Sequence, residues 1–197
     1  MPRRDPWSPA AFEDRYRAVD DPWSFATSTY ELGRYAAILA ALRPPPHRYR
    51  RAYEPACSVG VLTEQLARRC DQLVATDVSA SAVRRAVDRC GDRSALQIEV
   101  GAVQAGPPPG DPLDLIVFSE VGYYFDEAEL AGVVDLLAAA LGPGGDLVAC
   151  HWTGESPDHR LPGATVHEVL RQRLVPHASL VRSEVCDGFL LDAWRCS

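Results

Sequence analysis

Residues 51–63, RAYEPACSVGVLT, carry a short apolar strand into a turn of small residues and then into a helix. Small residues let a ligand approach the backbone closely, and the first turn of a helix offers N–H groups without intrahelical partners. Asp77 ends the next strand, and an acid at that place can accept hydrogen bonds from the two hydroxyl groups of a ribose. The stretch therefore predicts a nucleoside-binding site at the carboxyl ends of a parallel sheet.

From Arg51 onward, short apolar stretches alternate with stretches of helical periodicity. This alternation predicts an α/β fold whose parallel strands are joined by right-handed crossovers. The segment LDLIVFS at 113–119 is the most apolar and is expected at the centre of the sheet. A tight turn at Asp187 and Gly188 predicts a closing hairpin, which adds an antiparallel edge. The predicted strands are 51–57, 72–76, 95–100, 113–119, 146–150, 176–185 and 187–195, and the predicted helices are 61–70, 79–89 with its N-cap Ser79, 127–141 with its N-cap Asp126, and 164–174.

The chain divides into an N-terminal arm, residues 1–50, and an α/β domain, residues 51–197. The arm contains a predicted helix at 29–42 and the aromatic segment DPWSF at 21–25. An aromatic segment ahead of an α/β core either packs against that core or covers the binding site as a lid. Both interpretations remain open at this point.

Composition excludes several classes of protein. The 197 residues carry a net charge of -7, which argues against a general nucleic-acid binder, and all 20 cationic side chains are Arg. Without Lys, a Schiff-base enzyme or a phosphate-binding loop ending in Gly-Lys is excluded. The six Cys form no CxxC pair, so no metal site is predicted. No apolar run is long enough for a membrane span or a secretory signal, so we expect a cytoplasmic protein with reduced thiols and no membrane partner.

The turn after the first strand resembles the first motif of class I S-adenosylmethionine-dependent methyltransferases. That motif is an acid followed by three alternating glycines, and here Glu54 is followed by Ala56, Ser58 and Gly60. Two of the three glycines are replaced, which predicts a less open loop. Within the superfamily the chain is most similar to the nodulation-protein-S type. The segments 113–117, 119–125 and 141–148 carry the resemblance to the superfamily. The resemblance to the nodulation-protein-S type lies in 21–23, 27–31 with Arg34, 54–60, 119–124, and 151–152 through 163–167.

The resemblance implies a Rossmann-like seven-stranded methyltransferase sheet of order 3-2-1-4-5-7-6, with helices on both faces. It implies S-adenosyl-L-methionine as cofactor and S-adenosyl-L-homocysteine as product. The implied reaction is N-methylation of a small acceptor, an amino sugar or glycoside resembling a deacetylated amino sugar, by direct in-line transfer. A monomer or a homodimer is expected to act without nucleic acid.

The resemblance also assigns residues to the cofactor. Arg34, with Tyr30 one helical turn before it, is expected to bind the methionine carboxylate. Glu54 either contacts the amino group or only orients the loop. The acid that usually holds adenine is absent from 101–103, which leaves adenine to backbone groups. The full set is Tyr30, Arg34, Glu54, Ala56, Cys57, Ser58, Gly60, Asp77, Val78, Ala102, Val103 and Ser119.

The acceptor is expected beside the fourth strand. Glu120 or His151 would accept the proton that the amine loses, with Tyr124 as a third catalytic candidate. The residues expected to bind the substrate are Trp23, Tyr123, Trp152 and His159. Alternative interpretations are that one of the two tyrosines only packs under the following helix, that Trp23 only anchors the arm, and that His151 and His167 face solvent.

Two other functions fit the same motifs. The first is O-methylation of a sugar or natural-product hydroxyl, which demands a stronger base than amine methylation. The second is a catalytically silent protein that binds S-adenosylmethionine, as the lost glycines and the missing adenine acid suggest. A nicotinamide-dependent dehydrogenase is disfavoured because the turn lacks the G-x-G-x-x-G spacing.

Overall fold

The computed structural model describes residues 5–197 and contains one seven-stranded sheet. The strands are β1 (Ala52–Pro55), β2 (Leu73–Asp77), β3 (Leu96–Val100), β4 (Leu113–Ser119), β5 (Leu141–Trp152), β6 (Ala178–Val185) and β7 (Phe189–Cys196). Their order is β3-β2-β1-β4-β5-β7-β6, and β7 runs antiparallel to both of its neighbours. The predicted fold class and strand order are confirmed.

Six α-helices cover the two faces of this sheet. They are α1 (Pro9–Ala18), α2 (Thr29–Ala41), α3 (Val61–Leu66), α4 (Ala80–Cys90), α5 (Glu127–Ala140) and α6 (Gly163–Leu174). Side chains of β4 point alternately to the two faces, as the period of a strand requires. Leu115 and Val117 pack in the core under α2 and α3, whereas Ile116 and Phe118 pack in the core under α5 and α6. Because β4 is apolar on both faces, it takes the central position that its composition predicts.

The helix starts follow the capping chemistry of the sequence. Ser79 accepts a hydrogen bond from Ala82 N, and Asp126 forms a reciprocal capping box with Glu129. Both predicted N-caps are therefore confirmed. Gly188 adopts a left-handed conformation with φ of 83°, as the predicted hairpin turn between β6 and β7 requires.

Helix α1 is the one helix that the sequence analysis missed. Ser8 caps it, and Pro9 occupies the first turn, where its missing N–H costs nothing. Only Tyr16 of this helix is buried, so the apolar periodicity that reveals a helix is absent. The Ser-Pro pair was the one available signal.

Helix α3 and strand β5 differ most in extent from the prediction. Helix α3 ends at Leu66 instead of residue 70, because Cys70 already pairs with Tyr49 in a short parallel bridge. Strand β5 extends back through the glycine-rich segment to Leu141, with a bulge in its pairing to β4.

Within residues 5–197, no helix is both long enough and apolar enough to cross a membrane.

Candidate active site

The turn after β1 adopts the backbone that alternating glycines would take, although it contains only one. Ala56, Ser58 and Gly60 all have left-handed conformations, with φ of 56°, 52° and 78°. For a residue with a side chain this conformation costs about 1–2 kcal/mol, so neighbouring contacts must hold it. Ser58 N donates to an Asp77 carboxylate oxygen at 3.0 Å, and Cys57 N donates to Thr76 O at 2.9 Å. These two hydrogen bonds hold the turn to the end of β2.

Asp77 lies at the end of β2 with both carboxylate oxygens engaged on one side. Oδ2 accepts from Ser58 N, and Oδ1 accepts from Ser79 N at 2.9 Å. Burial raises the pKa of Asp77 to about 6, and the two backbone donors oppose that shift. Each oxygen has a second lone pair, so the carboxylate can still accept hydrogen bonds from a ligand in the cavity that it lines.

Glu13 of α1 fastens the N-terminal arm to this end of the sheet. Its carboxylate accepts from Ser79 Oγ at 2.7 Å, Ser81 N at 3.0 Å and Ser81 Oγ at 2.8 Å. These donors, the backbone N–H of Ser81 foremost, lower the pKa of Glu13 to about 2. Helix α1 is thus tied to the start of α4, two residues from Asp77.

Arg34 lies among carboxylates at the carboxyl ends of β1 and β4. Its guanidinium donates to Ser119 Oγ at 2.9 Å and to Glu31, and its distance to Glu120 Oε1 is 3.5 Å. Burial opposes the charge, but Glu120 and Glu31 outweigh it and raise the pKa of Arg34. Two carboxylates around one guanidinium favour a further positive charge in this region.

Glu54 faces the same region, and one of its carboxylate oxygens lacks a hydrogen-bond partner. Its side chain is 4% exposed, and Oε2 is buried without a hydrogen-bond partner. Burial raises the pKa of this carboxyl to about 8. Arg34 also retains one buried unpaired atom, Nε. Buried polar groups are rarely left unpaired, so these atoms mark a place for a polar ligand.

Two adjoining cavities connect these groups. The larger one, about 280 Å³, is bordered by Asp77, and the smaller one, about 30 Å³, by Arg34 and Glu54. Ala56, Ser58 and Glu120 line both, so the two cavities adjoin at the turn after β1.

Aromatic side chains of the arm form one wall of the larger cavity. Trp23 stacks on Phe25 with ring centroids 5.8 Å apart and meets Tyr16 edge-on at 5.4 Å. Phe12 meets Tyr124 edge-on at 5.0 Å. All five rings line the cavity, and Tyr16, Trp23 and Phe25 also belong to the core under α2 and α3, so this part of the arm both borders the cavity and packs on the core.

The structure brings twelve of the nineteen expected site residues to the two cavities. They are Trp23, Arg34, Glu54, Ala56, Cys57, Ser58, Asp77, Val78, Val103, Ser119, Glu120 and Tyr124. The other seven lie outside the cavity walls: Tyr30, Gly60, Ala102, Tyr123, His151, Trp152 and His159.

Tyr30 differs from its expected position beside a carboxylate. Its hydroxyl donates to Gly188 O at 2.9 Å, and its ring meets Phe189 edge-on. It therefore ties α2 to the β6–β7 hairpin. Gly60 contributes to packing, because a Cβ there would come within 2.9 Å of Ala86.

His151 and His167 are fully buried, so the alternative that they face solvent is wrong. His151 Nε2 accepts from Gly122 N at 3.1 Å, which leaves no free nitrogen aimed at the cavity. The aromatic rings beside His151 pack against one another. His159 stacks on Tyr123 at 3.7 Å, and Trp152 meets His159 edge-on.

Both carboxylate oxygens of Glu120 accept a hydrogen bond from within the protein. Oε1 accepts from Trp152 N at 2.7 Å, and Oε2 accepts from Tyr123 Oη at 2.9 Å. Burial raises its pKa, and Arg34 is the strongest opposing influence. Its backbone is left-handed, with φ of 57°, which directs the side chain back toward β5.

Several residues of the site escaped the sequence analysis. Phe12, Tyr16, Gln104, Phe125 and Arg160 line the larger cavity, Glu13 binds Ser79 near Asp77, and Glu31 pairs with Arg34. Aromatic residues in an unrecognised helix gave no signal of their own. Among residues 5–197, no group of three or more His, Cys, Asp and Glu is arranged to hold a metal ion.

Comparison with known proteins supports a family assignment. Nodulation protein S of Bradyrhizobium diazoefficiens is 35% identical over 136 residues, 68% of this chain and 64% of that protein. The N-methyltransferase NodS from Bradyrhizobium japonicum WM9, solved in complex with S-adenosyl-L-homocysteine, is 26% identical with a TM-score of 0.82, covering 95% of this chain and 98% of that chain. A solved Pseudomonas syringae protein is 39% identical with a TM-score of 0.72, covering 85% of this chain and 99% of its own.

The chain spans about three fifths of the length of the curated relatives that it matches. The model of the family described as Nodulation protein S (NodS) matches residues 10–175, which is most of the chain. This protein therefore belongs to the nodulation protein S family.

Proposed function

We propose that the protein binds S-adenosyl-L-methionine and transfers its methyl group to the amine of a small acceptor. The observation that carries the proposal is the pair of polar ends of the joined cavities. Asp77 stands at one end, and Arg34 with the unpaired oxygen of Glu54 stands at the other. A ligand with a ribose at one end and an amino acid at the other matches both. The NodS complex with S-adenosyl-L-homocysteine supports this choice.

The residues present fit that cofactor. Asp77 would accept the ribose hydroxyl protons, Arg34 would bind the methionine carboxylate, and Glu54 would take the amino group. Val78 and Val103 border the cavity near Asp77 and would contact adenine, with backbone groups of 101–103 as its polar partners. The cofactor supplies, when bound, a methyl group on a positively charged sulfur for in-line transfer to the acceptor's lone pair.

The electrostatics of the site favour positive charge. Glu31 and Glu120 surround a single guanidinium, that of Arg34, so the side chains carry an excess of negative charge when both are ionised. This excess would stabilise a sulfonium and an approaching ammonium. The rings of Trp23 and Phe25, which line the larger cavity, would add cation–π attraction.

The same geometry favours an amine over a hydroxyl acceptor. A hydroxyl needs a stronger base than an amine does, and the hydrogen bonds that Glu120 accepts from Trp152 N and Tyr123 Oη make its carboxylate a weaker one. His151 has both ring nitrogens engaged. An amine can enter the cavity neutral or lose its proton to Glu120. We propose a deacetylated amino sugar or glycoside as the acceptor class, as the resemblance to the nodulation-protein-S type implies.

Incubation with S-adenosylmethionine and a chitooligosaccharide bearing one free terminal amine tests the proposal by mass spectrometry. We expect the product to gain the mass of a methyl group, with fragmentation placing it on nitrogen. The fully N-acetylated oligosaccharide is the matched control and should remain unmodified. Methylation of that control would favour the O-methyltransferase, and cofactor binding without transfer to any amine would favour the silent binding protein.

The Glu13 contact predicts that the arm contributes to cofactor affinity. In Glu13→Gln the amide keeps one acceptor oxygen but loses the charge that faces Ser79, Ser81 and the N-terminus of α4. We expect the Kd for S-adenosyl-L-homocysteine to rise by about threefold to tenfold, measured by calorimetry. Glu168→Gln, an exposed change on α6, should leave the Kd unchanged. Equal values for the wild type and Glu13→Gln would show that the arm is not coupled to the cofactor.

A further inference from the structure

A buried chain of hydrogen bonds runs from the turn after β4, under α6, to Asp192 of β7. Gly122 N donates to His151 Nε2 at 3.1 Å, and His151 Nδ1 lies 3.3 Å from His167 Nε2. His167 Nδ1 lies 2.8 Å from Asp192 Oδ2, and Arg171 also pairs with Asp192 at 2.8 Å. The side chains of His151, His167 and Asp192 are completely buried.

The two ends of this chain determine where the protons lie. A backbone N–H can only donate, so His151 Nε2 carries no proton and its Nδ1 must carry one. That Nδ1–H donates to His167 Nε2, which is therefore also unprotonated. His167 then carries its proton on Nδ1 and donates it to the carboxylate of Asp192. Both imidazoles are neutral, and each nitrogen has one partner.

The charges around the chain agree with this assignment. Burial foremost, and then the neighbouring His167 and Arg34, lower the pKa of His151 well below its ordinary value. Burial opposes ionisation of Asp192, but hydrogen bonds from His167 and Arg171 outweigh it and keep its pKa low.

The turn that this chain of hydrogen bonds holds carries residues of the candidate active site. Gly122 begins a single 3-10 turn, Gly122–Tyr124, and a Cβ at Gly122 would collide with Val166. Tyr123 donates to Glu120, and Tyr124 lines the larger cavity. Any movement of Gly122 would therefore shift both the orientation of Glu120 and the wall of the cavity.

We propose that His151, His167 and Asp192 are positioning residues that hold the 122–124 turn and Glu120 for methyl transfer. His151 acts through Gly122 N and does not accept the acceptor's proton. The proposal rests on the proposed function, because its kinetic consequence is measured as methyl transfer. It replaces the sequence-based expectation that His151 is a catalytic base.

Two substitutions at His151 separate positioning from proton transfer. In His151→Gln the amide oxygen can accept from Gly122 N and the amide N–H can donate toward His167, but the side chain cannot act as a base. In His151→Leu neither hydrogen bond forms. We expect His151→Gln to retain more than about a third of the wild-type kcat and His151→Leu to lose at least about tenfold. The KM for S-adenosylmethionine should change less than about twofold in both.

The rates are referred to folded protein, measured by circular dichroism in the same samples. Arg173→Gln, which removes an exposed ion pair on the same helix as His167, is the control and should match the wild type. If His151→Gln loses as much activity as His151→Leu, His151 is a proton acceptor and the proposal is wrong. If both variants keep the full kcat per folded molecule, the chain of hydrogen bonds does not position the turn for methyl transfer, and the proposal is also wrong.

Nuclear magnetic resonance of the wild type tests the chain of hydrogen bonds without any assay of activity. Long-range 1H–15N correlation of 15N-histidine-labelled protein should show the Nδ1–H tautomer for both His151 and His167. An Nε2–H tautomer or an imidazolium signal at either residue would overturn the proposal, whatever the variants do. The expected tautomers together with an absence of methyl transfer would contradict the proposed function and leave the chain itself supported.

Discussion

Asp77→Ala is expected to weaken binding of S-adenosyl-L-homocysteine by about a hundredfold or more, since each hydrogen bond to a charged group contributes about 1.5–3 kcal/mol. The carboxylate lines the larger cavity, and each of its oxygens can accept one hydroxyl in addition to its backbone donor. Isothermal titration calorimetry measures the change directly.

The same substitution removes the acceptor for Ser58 N and Ser79 N, so part of the loss comes from a loosened turn. The melting temperature without ligand reports that part separately. Asp88→Ala, an exposed change on α4, is the matched control and should bind as the wild type does. If Asp77→Ala binds with wild-type affinity, Asp77 does not hold the ribose.

Arg34→Met has the largest expected effect on stability. The guanidinium is 1% exposed and lies between Glu31 and Glu120, so its removal leaves two buried carboxyl groups without a counter-charge. Breaking a buried ion pair from one side typically costs about 3–5 kcal/mol of the free energy of unfolding. Urea denaturation checks this value, and calorimetry should show cofactor affinity strongly reduced as well.

The double variant Arg34→Met with Glu31→Gln separates the two effects. Removing one of the unpaired carboxyl groups should restore part of the stability, whereas cofactor affinity should stay low because the carboxylate-binding fork is still absent. If affinity returns together with stability, Arg34 supports the fold but does not bind the methionine carboxylate. If Arg34→Met is as stable as the wild type, the account of this cluster is wrong.

The strands of the sheet were predictable because the apolar pattern of each short segment indicates the strand by itself. The segment 113–119 is apolar at every position except Asp114 and Ser119, which is typical of a strand buried on both faces. Asp77 was predictable for a related reason, since the end of a strand next to the first turn is a position that topology determines. The resemblance to a known family then supplied the strand order.

The arm and the buried histidines were not predictable in the same way. Helix α1 buries only Tyr16, so its cavity-lining face has no period to reveal it. The contact between Glu13 and Ser81 joins residues far apart in the chain, and no local pattern specifies such a pair. His167 looks like a polar residue on a helix until Asp192 and His151 are placed beside it by β7 and β5.

The central claim is that one cofactor spans the two joined cavities, and a crystal structure of the complex with S-adenosyl-L-homocysteine tests it most directly. We expect the ribose hydroxyls within hydrogen-bonding distance of Asp77, the carboxylate on Arg34, and the sulfur facing the wall formed by Glu120 and Tyr124. A ligand bound elsewhere, or bound in the cavity with its ribose away from Asp77 and its carboxylate away from Arg34, would contradict it.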